Sequence, residues 1–349
     1  MEVAMLQEQF LIGTYSNKDS EGIYEVTLDT NQERLINDHV LIKIKKPQYL
    51  QIGSDHRVYT IERGPADLGG IAVYELQDGT AKRVSEVMWH GPTPAYLGLD
   101  EKRHLLFAAN YHGSWVDVFQ IQPDGQLIQT DHLVHDGPTG PRPEQDMSHL
   151  HYADILPDGR LITCDLGEDM LNIYDVTDKG KLVPVSGFHS HPGFGTRHLV
   201  CHPNGKYIYV VGELSSEVEA FEYDQLTGQL HYIANRKTIP ADWKVHNGAA
   251  AIRMTHDGRF VYISNRGENT IAVFKVLDDF TLEKVQAIST EGEFPRDFNF
   301  SQNEDYLIAA NQNTENLTLF RRNPETGLLT LIQKGVASPE AINVQPVGK

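Results

Sequence analysis

One phrase of alternating apolar residues, with an aromatic near its middle, returns seven times along the chain and restricts the fold more than any other feature. Its copies are EGIYEVTL from Glu21, GGIAVYEL from Gly69, SWVDVFQI from Ser114, DMLNIYDV from Asp169, SEVEAFEY from Ser216, NTIAVFKV from Asn269 and ENLTLFRR from Glu315. The aromatic anchors are Tyr24, Tyr74, Phe119, Tyr174, Phe221, Phe274 and Phe320. They recur at roughly 49 residues, too long a step for one strand pair and suited to one four-stranded propeller blade. Seven steps predict an all-β, seven-bladed β-propeller with four antiparallel strands per blade.

Ahead of six of the anchors lies a strand, a tight turn and a second strand: PQYLQIGSDHRVYTI, PAYLGLDEKRHLLFAA, LHYADILPDGRLITC, TRHLVCHPNGKYIYVV, AAAIRMTHDGRFVYIS and PRDFNFSQNEDYLIAA. The PDG, PNG and HDG turns between alternating hydrophobics are hairpin signals. Each repeat therefore reads as strand a, turn, strand b, loop, strand c with the aromatic, turn, strand d. The seventh strand a, PEAINVQP from Pro339, comes only at the far end, whereas the chain opens with a strand-b pattern, FLIGTYS from Phe10. The N- and C-terminal strands are thus expected to share one blade, closing the ring without an exposed edge. Repeats that cannot bury their faces alone act as one cooperative unit, so residues 1–349 read as a single domain.

A formal net charge of -18 works against nucleic acid and anionic membrane as partners, since Lys and Arg neutralising phosphates dominate such binding. No stretch reaches the apolar length of a membrane span. The opening MEVAMLQEQF carries acids and lacks the basic and apolar segments of a secretion signal. Cys164 and Cys201 sit in apolar strands of different repeats and read as reduced, buried thiols. A cytoplasmic protein is expected.

Because strands a and b are antiparallel, the start of a and the end of b share one rim, together with long d-to-a connections such as HDGPTGPRPEQDMSHLH, FHSHPGFGTRH and IPADWKVHNGAAA. Long loops on a rigid scaffold concentrate binding residues. The second position of strand a holds Gln48, Ala95, His151, Arg197, Ala250, Arg296 and Glu340; the end of strand b holds Arg63, Tyr111, Leu166, Glu213, Arg266, Gln312 and Tyr15. A purely structural column tends to repeat one residue type. These columns do not, so His151, Arg197, Glu213, Arg266 and Arg296 are expected to converge on the channel mouth, with His149 two residues from His151 on the same strand face.

At these residues the chain resembles the seven-bladed-propeller lactonase family, which includes propeller-type 6-phosphogluconolactonases and is related to fungal carboxy-muconate lactonizing enzymes. The resemblance spans essentially the whole chain. It is carried by GTYS at Gly13, ANY at Ala109, the HxH unit at His149 followed by PDG, GTRHL at Gly195, GEL at Gly212, SNRG at Ser264 and FPRDF at Phe294. It implies a polar centre of His149 or His151 with Arg197, Glu213 and Arg266. Two departures stand out: SHLH replaces the PHxH common in the family, and Ala251 occupies a position often acidic in it.

Hydrolysis of a sugar lactone, foremost 6-phosphogluconolactone, asks for a base to activate water, a donor for the developing oxyanion and a grip on any phosphate. Glu213 or His151 is the candidate base. Arg197 and Arg266 suit the carbonyl or the phosphate, and His149, Arg296, Tyr111, Tyr15 and Gln312 are candidate substrate contacts. Each has a bland counterpart, Glu213 as a mere partner for an arginine and the arginines as pairs between blades. His149 and His151 could also ligate a metal, but no third ligand at firm spacing accompanies them, so neither metal nor cofactor is expected. GxSxG is absent and neither cysteine has a mouth position, which favours direct attack by water. A propeller that binds ligand or protein without chemistry, and a lactonizing cycloisomerase, are the competing classes.

Overall fold

The computed structural model describes residues 7–77 and 79–348; residues 1–6, which carry most of the leader argument, lie outside the described residues. Among the described residues, twenty-eight strands form seven four-stranded antiparallel sheets arranged as the blades of a propeller. Blade 1 takes its innermost strand from the far end of the chain: Ala341–Pro346 pairs with Gln7–Thr14, in the register Phe10 to Pro346 and Ile12 to Val344. Blades 2 to 7 then follow in chain order, each with strand a innermost and strand d outermost.

The recurring aromatic has a backbone cause. In all seven blades the pairing of strand c with strand d shifts register at the residue before the anchor, as at Ile23/Tyr24, Val118/Phe119 and Val273/Phe274. Such a bulge bends the strand and increases its twist, and the large ring fills the space that the bend opens beside the next blade. All seven anchors are buried. Between blades 5 and 6, for instance, Tyr209, Val211 and Ala220 pack with Val261, Ile263 and Phe274. Strands d, such as Thr80–His90, alternate between exposed and half-buried positions because only one face meets the core.

Candidate active site

Bulges recur at the start of strand a, and there they serve a different end. Thr196 pairs with Gly212 and His198 with Val211, which leaves Arg197 as the extra residue. The same shift leaves out His151 in blade 4, Ala250 and Ala251 in blade 6, Arg296 in blade 7 and Ile342 in blade 1. A bulged residue is released from strict alternation and re-aimed, and His151, Arg197, Arg296 and Ile342 all line the central cavity. Two consecutive residues can then reach the channel together, as Arg197 and His198 do, and Arg296 and Asp297.

These side chains line one cavity of about 220 Å³ with walls from all seven blades, among them Tyr15, Gln48, Tyr111, His151, Arg197, Glu213, Arg266 and Arg296. Its floor is a sheaf of buried tyrosines: the Tyr49 and Tyr96 ring centroids lie 4.4 Å apart, as do those of Tyr96 and Tyr152. Beside them Asp297 receives Arg253 Nη2 at 3.0 Å and Asn343 Nδ2 at 2.7 Å. The site is a cup lined from the ends of strands a and b that share one rim.

Glu213 is the hub. Its Oε2 lies 2.8 Å from Arg197 Nε, whose N–H is not aligned on it, and 2.9 Å from Arg266 Nη2. Neither Oε1 of Glu213 nor Arg197 Nη2 nor Arg266 Nη1 has a hydrogen-bond partner among the described residues. Backbone carbonyls of blade 6 fix the arginines: Arg197 Nη1 donates to Ala250 O at 2.6 Å and Arg266 Nε to Gly248 O at 3.1 Å. Gly248 leaves room for this crossing, since a Cβ there would lie 2.8 Å from Arg266 Nη2. Gly195, at φ +70° and against Leu214, must be glycine, and its carbonyl accepts from Glu213 N at 2.8 Å. The GTRH turn thereby fixes both Arg197 and Glu213.

Burial alone would raise the Glu213 pKa, but Arg266 and Arg197 outweigh it and hold the carboxyl far below its usual range. Burial and Arg266 press Arg197 down to about 9, so it is still charged at neutral pH. Burial, then Arg197, keeps His151 neutral well below the ordinary imidazole range. Burial pushes the Tyr111 phenol up to about 12 and preserves its proton.

His198 decides which nitrogen of His151 carries that ring's hydrogen. The His198 Nε2 to His151 Nδ1 distance is 3.2 Å, and His198 Nδ1 is buried with no partner. A bare buried N–H costs more than a bare lone pair, so the proton belongs on His198 Nε2, which donates to His151 Nδ1. His151 then presents Nε2–H to the cavity.

Of the expected site residues, His151, Arg197, Glu213, Arg266, Arg296, Tyr111 and Tyr15 share the cavity wall. His149 stands behind it: its ring stacks on Tyr111 at 4.2 Å, Nδ1 faces Tyr111 O at 2.9 Å and Nε2 faces Asp146. The bulge at His151 breaks the two-residue periodicity that put both histidines on one face. Gln312 also lies off the wall, its amide turned to Asn313 at 3.4 Å. Glu340 belongs to a different column from the one assigned to it, because the bulge of blade 1 falls on Ile342; its carboxylate caps the backbone N–H groups of Asn17 and Lys18. His198, Asp297, Tyr49 and His112 line the cavity without having been singled out for it.

Elsewhere, His135, Asp165 and Glu168 bring ligand-type atoms within 4.8 Å of one another. The His135 to Asp165 contact, 3.2 Å, repeats a blade-to-blade link that Thr238 and Asn265 make at 2.7 Å, and Ser148 and the His149 N–H already bond to the Asp165 carboxylate. It is a structural tie.

The chain matches the family model described as "Lactonase, 7-bladed beta-propeller" over residues 9–346. It is 38% identical over 341 residues to the 6-phosphogluconolactonase of Bacillus subtilis, a match spanning 96% of this chain and 97% of the relative. A solved structure from Lactobacillus plantarum superposes with a TM-score of 0.96 at 46% identity, covering 98% of this chain and 100% of that one. The periplasmic gluconolactonase of Pseudomonas aeruginosa superposes at 0.91 with 27% identity, covering 98% and 99%.

Proposed function

Because the chain belongs to the seven-bladed β-propeller lactonase family, we propose that it hydrolyses a sugar lactone, with 6-phosphogluconolactone as the substrate. The observation that carries this reading is the Glu213 hub, a carboxylate with one oxygen beside two arginines and the other without a hydrogen-bond partner among the described residues, lining the same cavity as His151. In this mechanism Glu213 Oε1 orients a water and takes its proton as the oxygen adds to the lactone carbonyl. The oxyanion that forms is met by His151 Nε2–H and by the open N–H groups of Arg197 and Arg266. Collapse of the tetrahedral intermediate breaks the bond to the ring oxygen, which receives the proton from Glu213 and leaves as a hydroxyl on the opened acid. Charge balance supports the assignment, since the arginines outnumber the carboxylate they surround and suit a site where negative charge develops.

The unpaired Cys164 and Cys201 suit a reducing cytoplasm as the site of action. The direct experiment follows acid release from 6-phosphogluconolactone against its spontaneous hydrolysis. Purified protein is expected to accelerate it, and a rate equal to the uncatalysed one removes the hydrolase reading.

A further inference from the structure

Arg296 is the odd member of the cavity. Arg197 and Arg266 share Glu213, and Arg253, below the floor, is joined to Asp297. Arg296 has neither an ion pair nor a side-chain hydrogen bond among the described residues; its guanidinium carbon sits 5.1 Å from the Tyr15 ring centroid. Asp297, its neighbour in sequence, is already engaged by Arg253 Nη2, Asn343 Nδ2 at 2.7 Å and Val344 N at 3.1 Å. The bulge in blade 7 nevertheless turns Arg296 into the cup, half-buried, in a protein whose net charge is -18. With so many carboxylates on the chain, an inward arginine left without one is a cation kept open for an anion that arrives with the ligand.

We propose that Arg296 is the subsite for a phosphate monoester on the substrate, separate from the Arg197, Glu213 and Arg266 group that meets the lactone carbonyl. The proposal rests on the lactone reading above for the identity of the rest of the ligand. Tyr15 supplies a cation–π neighbour that holds the guanidinium over its ring and leaves N–H groups free for phosphate oxygens. The electrostatic division of labour follows. Arg197 and Arg266 carry one net positive charge between them after Glu213, enough for the oxyanion, and Arg296, near enough for its charge to act on Glu213, Arg197 and His151, adds a second positive charge with no carboxylate bonded to it.

Equilibrium titration with 6-phosphogluconate and with gluconate isolates the phosphate, because both carry the carboxylate of the opened ring. Wild-type protein is expected to bind 6-phosphogluconate more tightly by on the order of ten- to a hundredfold, the range for a charge-assisted contact. Arg296→Gln is expected to collapse that ratio toward one, and Arg296→Lys to restore part of it, with melting curves confirming that both variants are folded. Equal affinity for the two ligands in the wild type overturns the subsite, and so does a ratio that survives Arg296→Gln. Lactone hydrolysis is scored separately: a wild type that shows the affinity ratio without turnover loses the hydrolase reading and keeps the subsite.

Discussion

Two columns of bulges run around the same ring and carry opposite information. In the outer column, at the strand c to strand d pairing, all seven blades place a Tyr or Phe against a neighbouring blade. In the inner column, at the start of strand a, the bulged residues are His151, Arg197, Ala250 with Ala251, Arg296 and Ile342. The backbone device is shared; the surroundings are not. A bulge facing a packed blade must fill a set volume, so one residue type recurs, whereas a bulge facing an open channel meets no such demand. Within a repeat protein, the position where the repeats disagree is therefore the position to read for chemistry.

The comparison is tested hardest at Glu213. Glu213→Gln keeps the shape and removes the proton acceptor, so kcat is expected to fall by about 10²–10⁴. Melting temperature falls too, since Arg197 and Arg266 are left buried without a counter-charge. His151→Gln, which retains a donor, is expected to keep more activity than His151→Phe, and the pH profile of the wild type is expected to lack an imidazole limb near 6.5. Equal, near-complete loss of activity in both variants together with an imidazole limb makes His151 the base, and the reverse order of the two variants removes its role as a donor.

The outer column gives the complementary result. Phe274→Ala removes a fully buried ring between blades 5 and 6 and is expected to cost about 3–5 kcal/mol of stability. Measured below its lowered melting temperature, the variant is expected to keep the wild-type kcat. A large loss of kcat in a folded Phe274→Ala protein, with a small change in melting, breaks the division between packing bulges and channel bulges.

The outer column was legible in the sequence because aromatic residues at a fixed step are a packing signal, and the ring closure followed from counting strands. The inner column was legible only in part. Stacking the repeats found Arg197, Arg296 and His151, but simple alternation set His149 beside His151, although the bulge turns His149 to Tyr111 and Asp146. Alternation also hid His198, which follows Arg197 and reaches the same cavity only because Arg197 is the inserted residue. In blade 1 the column was read at Glu340, and the bulge lies two residues later at Ile342. An insertion of one residue leaves the apolar pattern almost unchanged, so hydropathy carries little trace of it. Gln312 lies off the wall for another reason: its backbone N–H is tied to Phe294 O, its Nε2 turns to Asn313, and its Oε1 is buried away from the cavity lining.

The smallest effect concerns the channel below the cup, where a carboxylate is kept for neither packing nor the proposed chemistry. Burial raises Asp154 to about 6, although Ile155 N and the Tyr96 hydroxyl at 2.8 Å both donate to it. A carboxyl whose folded pKa lies above its unfolded value contributes stability below the unfolded pKa of 3.8 and loses it as pH rises toward 6. Asp154 therefore weighs against the fold at neutral pH. Asp154→Asn accepts one of the two donors and lets the Tyr96 hydroxyl turn to accept from its amide. The variant is expected to gain about 1–2 kcal/mol at pH 7.5 and nothing at pH 3.5, read from paired denaturation curves. A gain of equal size at both pH values would assign it to packing rather than to the charge, and a loss at pH 7.5 would mean that the ionised form of Asp154 supports the tyrosine floor.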